Sequence, residues 1–533
     1  MTQNINRTRR SLLAGGTMAA LAAATGAAHA KEGAPAFDKI YDVIVVGSGF
    51  AGLAAALQAR LKGAEVLLIE KMPVFGGNSA INGGAFAVAG SPLQEKEGIK
   101  DSPERMLQDM IRSGRGLSHV DLLKMIVEGT RPAFDFTLEH GVQYKPFVQH
   151  FGGHSVPRIM QTIESTGGGI TRPLADSCRK HGVDMHLNAK MESFIRDADG
   201  RVIGLKVRER YQFPKEDSGV LQTYGTRKGV IMATGGFSRN LWFRMQQDPS
   251  LDDRLDSTNH LGATGEGMLE MFAIGGAPVQ VDQIQLGPWS SPDEKGFGLV
   301  SQFNTIAGFP MGIMVDVRTG KRFCNEDTGF VYMGNITKYV PKFNGNNVDA
   351  NHPDGSLGWY CQVYDSDYMS YANSPVPEQV MTKYIPGAVE NPQGVFTNLI
   401  DTYKADTIEE LAALLDVPAD ELQKTIDRYN ELCDQGTDAD FGKKSAYMHK
   451  IEKAPFWGVR KHIRVSSIDS GVNTNANGQA LDADGKVIEG LYCVGNVGGV
   501  FYGGADYPFH QTGLSLGRCY TFGMLAAKHA MGK

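Results

Sequence analysis

The sequence predicts an α/β fold whose parallel-sheet domain is split by an inserted domain. The first observation is a strand, turn, helix and strand near the start of the chain. Residues 41–46 (YDVIVV) form an apolar run, and residues 47–52 (GSGFAG) lead into a helix that reaches Leu61. A second strand over residues 64–69 ends at Glu70. This order is typical of a Rossmann-like βαβ unit, in which the strands are buried on both faces.

The second observation is a change of composition in the middle of the chain. Over about residues 279–451, aromatic residues, Asn and Asp become more frequent, and helix-start patterns mark a helical pair over residues 407–433. From Gly490, strands and glycine-rich turns return. An α+β capping domain is therefore expected inside the first domain. The expected segments are a signal peptide (1–30), the first part of the nucleotide-binding domain (38–279), the capping domain (280–455) and the second part (456–533).

The glycine turn carries a dinucleotide-binding fingerprint. Gly47 permits the tight turn, Gly49 lets the backbone approach a pyrophosphate, and Gly52 allows close packing of helix and strand. The helix N-terminus then faces the phosphate charge. A carboxylate at Glu70 would bind ribose hydroxyls and disfavour a 2′-phosphate.

A second glycine-rich segment follows Glu70 directly. It comprises residues 71–79 (KMPVFGGNS) and residues 82–84 (NGG). A nicotinamide dinucleotide does not need such a loop, whereas the longer chain of a flavin does. The cofactor predicted is therefore FAD.

Composition excludes several other classes of protein. The 533 residues carry a formal net charge of -6, and no basic run occurs beyond the N-terminus, which argues against nucleic-acid binding. The six cysteines form neither a CxxC pair nor a haem-attachment motif, so metal and haem sites are not expected. Buried free thiols are the expected state of these cysteines.

The N-terminus predicts export. Arg9 and Arg10 precede an apolar stretch over residues 12–24, and residues 28–30 (AHA) fit a cleavage site. The arginine pair favours a twin-arginine signal and a periplasmic location, with an ordinary secretory signal as the alternative. No later run reaches the ~18 apolar residues of a membrane span.

Several stretches together resemble the soluble fumarate reductase flavoproteins and their relatives, the urocanate reductases and 3-ketosteroid dehydrogenases. They are residues 43–84, 229–237, 262–267, 320–326 and 490–523. The resemblance implies an FAD domain with a mobile cap, hydride transfer between the flavin and a C=C bond, and a protein acid for the proton. Residues 77–84 contain no histidine that could hold flavin covalently, so non-covalent FAD is expected.

The fingerprint and the resemblance together predict the residues that contact FAD. They are Gly47, Gly49, Ala51, Gly52, Glu70, Lys71, Gly76, Gly77, Asn78, Ser79, Asn82, Gly83, Gly84, Thr234, Gly235, Gly236, Gly265, Gly495, Asn496, Gly513, Leu514, Ser515 and Leu516. Asn496 stands where the family usually has a glutamate that contacts the ribityl chain. The glycine stretch 167–169, which Arg158 precedes, either approaches FAD or belongs to a helix-capping loop.

The cationic substrate ligands of fumarate reductases are missing. The resemblance places those ligands at Gly287, at Ser466 or Ser467, and on or near His510. It places the catalytic arginine near Met369, and the arginine partner of the proton-pathway glutamate, Glu326, at Gly329. Two buried carboxylates without cations would be very costly, so fumarate is not the expected substrate. An apolar pocket is expected instead, and about half of a set of aromatic residues should line it while the others serve as core. The set is Trp289, Phe309, Tyr332, Tyr364, Tyr368, Phe501, Tyr502, Tyr507 and Phe509.

The proton donor must then be another residue. The candidates are Tyr507, His510 and Tyr368, with Glu326 behind them. A tyrosine hydroxyl or an imidazole can serve if its pKa is tuned, and a buried structural role is the alternative for each.

These observations predict a periplasmic ene-reductase of anaerobic respiration. Its expected substrate is an acrylate-like or cinnamate-like monocarboxylic acid, met by His510 or Arg464, and a separate c-type cytochrome is the expected electron donor. The alternatives are a 3-ketosteroid-type dehydrogenase, a fumarate or urocanate reductase, and a flavin-binding protein without enone chemistry.

Overall fold

The glycine turn joins strands of a large, mostly parallel sheet. In a computed structural model of the chain, the residues described are 36–114, 116–150, 153–253, 255–290, 310–326, 360–371, 402–499 and 513–532. Those from Lys39 onwards belong to one compact unit. Seven of the nine aromatic candidates, Tyr507 among them, lie outside the described residues or have side chains that do, and His510 and Gly329 also lie outside.

Strands and helices alternate over residues 39–96, and four strands in succession occupy residues 184–232. The strands are β1 (Lys39–Val46), β2 (Val66–Glu70), β3 (Ala85–Ala87), β4 (Ile159–Gln161), β5 (Asp184–Leu187), β6 (Lys190–Arg196), β7 (Val202–Glu209), β8 (Val220–Met232), β9 (Pro278–Val279), β10 (Leu286–Ser290), β11 (Ile313–Asp316), β12 (Tyr360–Tyr364), β13 (Thr402–Ala405), β14 (Phe456–Val465), β15 (Gly471–Val472), β16 (Gln479–Leu481) and β17 (Val487–Cys493). The helices are α1 (Phe50–Leu61), α2 (Gly77–Ile81), α3 (Pro92–Lys96), α4 (Pro103–Ser113), α5 (Val120–Glu139), α6 (Gly168–Lys180), α7 (Leu241–Gln247), α8 (Glu266–Ala273), α9 (Tyr368–Tyr371), α10 (Ile408–Leu415), α11 (Ala419–Gln435) and α12 (Leu514–Ala530).

The large sheet has the order β16-β17-β8-β1-β2-β5, and β7 joins β8 and β6. Its central pairs are parallel, as the βαβ pattern predicts. β17 lies beside β8, so the end of the chain returns to the sheet that the start of the chain begins. The α/β fold class is thereby confirmed. Parallel strands place their carboxyl ends at one edge, where ligands bind in open α/β sheets.

β8 is longer than the sequence pattern indicates. The pattern predicts a strand over residues 229–234, whereas the observed strand begins at Val220. Its first half is partly exposed and pairs antiparallel with β7 from Val220 to Gly225. Cross-strand pairing with β7 therefore extends the strand beyond the apolar run that predicts its second half.

A smaller sheet has the order β10-β14-β12-β11, with β13 also paired to β14. The helical pair α10 and α11 packs on it through Leu411, Leu415 and Ile426. Thr407 caps α10 by accepting a hydrogen bond from the Glu410 amide at 3.1 Å, which confirms the predicted helix start. The predicted boundary assigns β14, which begins at Phe456, to the nucleotide-binding domain, but β14 pairs in this smaller sheet. The domain boundaries stay predictions.

No helix in the described part of the chain is long and apolar enough to cross a membrane. The six cysteines are free thiols, and five of them are buried.

Candidate functional site

A cavity of about 510 Å³ opens where the central parallel strands end. The turns after β1, β2, β8 and β17 all contribute to its wall. The predicted FAD residues that line it are Gly47, Gly49, Ala51, Glu70, Lys71, Gly76, Gly77, Asn78, Ser79, Asn82, Gly83, Thr234, Gly235, Gly236, Gly265, Gly495, Asn496, Gly513 and Ser515. The structure thus collects residues far apart in sequence around one cavity.

Three other predicted FAD residues lie behind this wall. A Cβ on Gly52 would come within 1.8 Å of the Gly47 carbonyl oxygen, so Gly52 serves the packing of α1 on β1. A Cβ on Gly84 would meet the Thr166 carbonyl oxygen at 2.5 Å, and Leu514 is fully buried in the core. Their contacts shape the wall rather than the cavity surface. The side chain of Leu516 lies outside the described residues.

Glu70 stands at the end of β2 with both carboxylate oxygens engaged. One oxygen accepts hydrogen bonds from the Ser48 amide at 3.1 Å and the Ser48 hydroxyl at 2.7 Å. The other accepts from the Met72 amide at 2.9 Å. The Ser48 hydroxyl also accepts from the Gly76 amide at 3.0 Å, so Ser48 ties the two glycine-rich turns together. Sequence reasoning missed Ser48, because it occupies a variable position of the fingerprint.

The second glycine-rich loop is held by its own polar side chains. The Ser79 hydroxyl accepts a hydrogen bond from the Phe50 amide at 3.0 Å, at the start of α1. The Asn82 amide group donates to the Ser79 carbonyl at 2.7 Å and accepts from the Gly84 amide at 2.8 Å. Asn78 accepts from the His260 amide at 2.5 Å. These bonds place the loop against the first turn.

Lys71 forms an ion pair beside the loop. Its ammonium group lies 2.6 Å from the Glu266 carboxylate and also donates to the Thr264 hydroxyl. Residues 262–267 all belong to the resemblance, but among them only Gly265 was predicted to contact FAD. Glu266, His260 and Asn259 are additional lining residues.

A buried polar network forms another part of the wall. Arg518, on α12, donates to Asp469 at 3.1 Å and to the Asn496 side-chain oxygen at 2.5 Å. The Ser467 hydroxyl donates to Asp469 at 3.1 Å, and the Ser467 amide donates to the Gln285 side-chain oxygen at 3.2 Å. Burial raises the pKa of Asp469, and the interactions with Arg518 and Ser467 oppose that rise. Sequence reasoning did not single out Arg518, Asp469 or Gln285, since none belongs to a recognisable spacing.

The described catalytic candidates lie apart from this wall. Tyr368 is fully buried, and its ring packs edge-on against Trp457 with 5.9 Å between ring centroids. Glu326 is also buried and pairs with Arg322 at 2.7 Å. Neither residue is part of the described lining of the cavity. Their assignment to catalysis stays a prediction, as does that of Tyr507 and His510.

Glu326 belongs to a buried group of charges next to β11. Lys443 approaches its carboxylate at 3.5 Å, and Arg322 also contacts Asp438 at 2.7 Å. Burial lowers the pKa of Lys443, while the carboxylate of Glu326 opposes that shift. The resemblance places the arginine partner of Glu326 at position 329, where this chain has glycine. Arg322, four residues before Glu326, supplies the cationic partner instead.

Arg158 also belongs to a buried ion cluster. Its guanidinium pairs with Asp101 at 2.9 Å and Asp109 at 2.6 Å, and all three side chains are almost fully buried. It does not line the described cavity. Gly167 is the N-cap residue of α6, and none of residues 167–169 lines the described cavity. The structure therefore favours the helix-capping alternative for this glycine stretch.

The cavity has features that fit an extended flavin dinucleotide. Among the described residues, the Thr234 hydroxyl and the Gln285 side-chain nitrogen are buried without a hydrogen-bond partner, and both residues line the cavity. Buried polar atoms normally have partners, so these two indicate a polar ligand. A Cβ on Gly77, Gly83 or Gly235 would meet nothing within 4 Å, which leaves these turns open toward a ligand. Glu70 suits a ribose, and the turn of Gly47 suits a pyrophosphate.

The fold and this cavity define a flavoprotein. The chain belongs to the FAD binding domain family, whose match covers residues 42–507.

Two relatives and one solved structure are similar to this chain over most of its length. The acrylate reductase flavoprotein subunit of Shewanella woodyi is 41% identical over 533 residues, which is 98% of either chain. The urocanate reductase of Eggerthella lenta is 29% identical over 498 residues, covering 92% of this chain and 74% of that one. The open conformation of a flavocytochrome c3 fumarate reductase matches with a TM-score of 0.73 and 25% identity, over 93% of this chain and 78% of that one.

These findings confirm the predicted family, the FAD cofactor and the class of enzyme. The chain is an FAD-dependent oxidoreductase of the class that acts on C=C bonds.

Proposed function

We propose that this chain is the flavoprotein of a periplasmic ene-reductase that reduces a monocarboxylic acid of the acrylate or cinnamate type. The observation that carries the proposal is the 41% identity to an acrylate reductase flavoprotein subunit over 98% of both chains. The fumarate and urocanate reductases are less similar to this chain, so their substrates are less well supported than an acrylate-like acid.

The neutral residues at the substrate positions support a substrate with one carboxylate. Gly287, where the resemblance places a substrate histidine, lies in β10 opposite Arg464 of β14. Ser467, at or beside the second histidine position, lies in the cavity wall and bonds to Asp469. Hydrogen bonds between a carboxylate and cations are about twice as strong as those between neutral groups. A site with fewer cations therefore suits a monocarboxylate better than fumarate.

Bound FAD supplies the electron pair for reduction of the C=C bond. The chain holds the cofactor through the two glycine-rich turns, Glu70 and the polar wall at Ser467 and Asn496. The proton is proposed to come from Tyr507 or His510, with Tyr368 and Glu326 as further candidates. The sequence has no haem-attachment motif, so we propose that a separate cytochrome delivers the electrons.

Purified protein loaded with FAD tests the proposal in an assay that follows oxidation of a reduced viologen dye. The substrates are acrylate, methacrylate, cinnamate, fumarate, urocanate and a 3-keto-4-ene steroid. Acrylate or cinnamate should give the fastest oxidation, because one carboxylate and one activated C=C bond suffice for the site. The control is the same protein stripped of FAD, which should oxidise no dye.

Faster oxidation with fumarate than with either monocarboxylate would refute the proposed substrate class. Activity with the steroid alone would favour the 3-ketosteroid-type alternative. No oxidation with any compound would favour a flavin-binding role without enone chemistry.

A further inference from the structure

Three separate chain segments meet behind the cavity wall at Arg518. Asp469 follows β14, Asn496 lies in the short turn after β17, and Arg518 belongs to α12. The Arg518 side chain is fully buried, and that of Asp469 is 7% exposed. Asn496 is only partly buried and lines the cavity. A buried ion pair therefore stands directly behind a residue that borders the cavity.

The ion pair determines how the Asn496 side chain can be oriented. A guanidinium group only donates hydrogen bonds, so the atom of Asn496 that faces Arg518 at 2.5 Å must be its oxygen. The thiol of Cys519 approaches the same oxygen at 3.7 Å. The reversed amide would place its N–H groups against the guanidinium and lose this charge-assisted bond.

The side-chain nitrogen of Asn496 consequently faces away from Arg518. Its nearest described partner is the Ser467 hydroxyl at 3.4 Å, a long hydrogen bond to another residue of the wall. The Ser467 hydroxyl itself donates to Asp469, so the same carboxylate anchors both Arg518 and Ser467. The network leaves the amide nitrogen as the polar group of Asn496 that can serve a ligand.

We propose that Arg518 and Asp469 are positioning residues that hold the Asn496 amide with its nitrogen toward the cavity, where Asn496 donates a hydrogen bond to bound FAD. A glutamate at this position could only accept a hydrogen bond while ionised, so the asparagine reverses the direction of the bond. The proposal rests on the FAD cofactor and is independent of the substrate.

The test titrates apoprotein with FAD and measures Kd for the wild type, N496D, R518K and the double variant. Aspartate keeps an oxygen for Arg518 but has no N–H, so N496D should raise Kd about tenfold, the cost of one hydrogen bond of ordinary strength. R518K should raise Kd less, because lysine keeps the charge but loses the planar fork. The double variant should resemble N496D, since the orientation of residue 496 no longer matters once its donor is gone.

A second readout separates positioning from structural support. D469N leaves the Arg518 charge beside the cavity without its counter-charge, so the midpoint potential of the bound flavin should become more positive. A purely structural ion pair would lower the thermal unfolding midpoint of the variant without moving this potential.

Arg158 provides the matched control. It is as buried as Arg518 and also pairs with carboxylates, but it does not line the described cavity. R158K should lower the thermal unfolding midpoint and leave the FAD Kd unchanged.

Three results would overturn the proposal. They are wild-type FAD affinity in N496D, additive effects of R518K and N496D on the free energy of binding, and an unchanged flavin potential in D469N. Where R518K yields no folded protein, the Kd of N496D and the potential of D469N decide.

Discussion

At the scale of single residues, Glu70 illustrates how a strand end becomes a binding group. Its position after an apolar strand predicts a carboxylate for ribose hydroxyls. In the structure, Ser48 and Met72 donate to it, so the protein's own hydrogen bonds hold the carboxylate in one orientation. Such preorganisation lowers the entropy that binding must otherwise cost.

Replacing Glu70 by glutamine should weaken FAD binding about tenfold, because a neutral amide accepts more weakly and turns N–H groups toward the Ser48 and Met72 donors. The measurement is the FAD Kd of the apoprotein. The matched control is E65Q, since the Glu65 side chain is 52% exposed and its carboxylate lies 3.8 Å from Arg227. Equal affinity in E70Q and the wild type would contradict the assigned role of Glu70.

Other residues of the wall show where sequence reasoning stops. Ser467 stands at or beside the position where the fumarate reductases have a substrate histidine. It bonds instead to Asp469 and Gln285. Nothing in the spacing of Asp469, Gln285 or Arg518 connects them, because they come from different elements. Their proximity is a result of tertiary folding.

At the scale of elements, the contact between α1 and α12 positions the first glycine turn. Gly523 lies in α12, and a Cβ there would approach the Ala51 carbonyl oxygen of α1 to 2.3 Å. The two helices therefore pack backbone to backbone at this point. Since Ala51 also lines the cavity, the C-terminal helix supports the turn that is predicted to bind the cofactor.

Gly523→Ala should lower the free energy of unfolding by about 1–3 kcal/mol, because the added methyl group cannot be accommodated without moving one helix. Gly517→Ala is the control on the same helix. Its Cβ would lie 3.3 Å from the Phe86 ring and 3.4 Å from the Thr130 methyl group, both much longer than the 2.3 Å backbone contact at Gly523. Alanine also gains up to about 1 kcal/mol in helix propensity. Thermal and denaturant unfolding of both variants measure the difference. A Gly523→Ala variant as stable as Gly517→Ala would contradict the close helix contact.

At the scale of the whole molecule, the two ends of the chain have different roles. The C-terminal part completes the sheet that β1 begins, whereas the N-terminal segment carries the predicted address for export. The twin-arginine route carries folded proteins, which suits an enzyme that acquires FAD in the cytoplasm. That segment lies outside the described residues, and its function stays a prediction from the sequence.

The substitution R9K/R10K should stop export and leave the precursor in the cytoplasm, because a receptor reads the arginine pair. R7K is the control, since it changes a nearby arginine and keeps the pair. Immunoblots of cytoplasmic and periplasmic fractions provide the measurement. Continued export of R9K/R10K would instead favour an ordinary secretory signal.

The sequence by itself determined the fold class, the FAD cofactor and the family. These depend on local patterns, since a strand, a glycine turn and a helix are encoded by neighbouring residues. Most of the cavity lining was predictable for the same reason, because Gly47, Glu70 and the second glycine loop are close in sequence.

Only the tertiary structure decided which distant side chains complete the cavity. It placed Arg518 and Asp469 behind Asn496, and it placed Arg158 in a buried cluster away from the cavity. The physical reason is that a buried charge requires a partner, and the partner can come from any element that the fold brings near. Sequence spacing carries no record of such pairs.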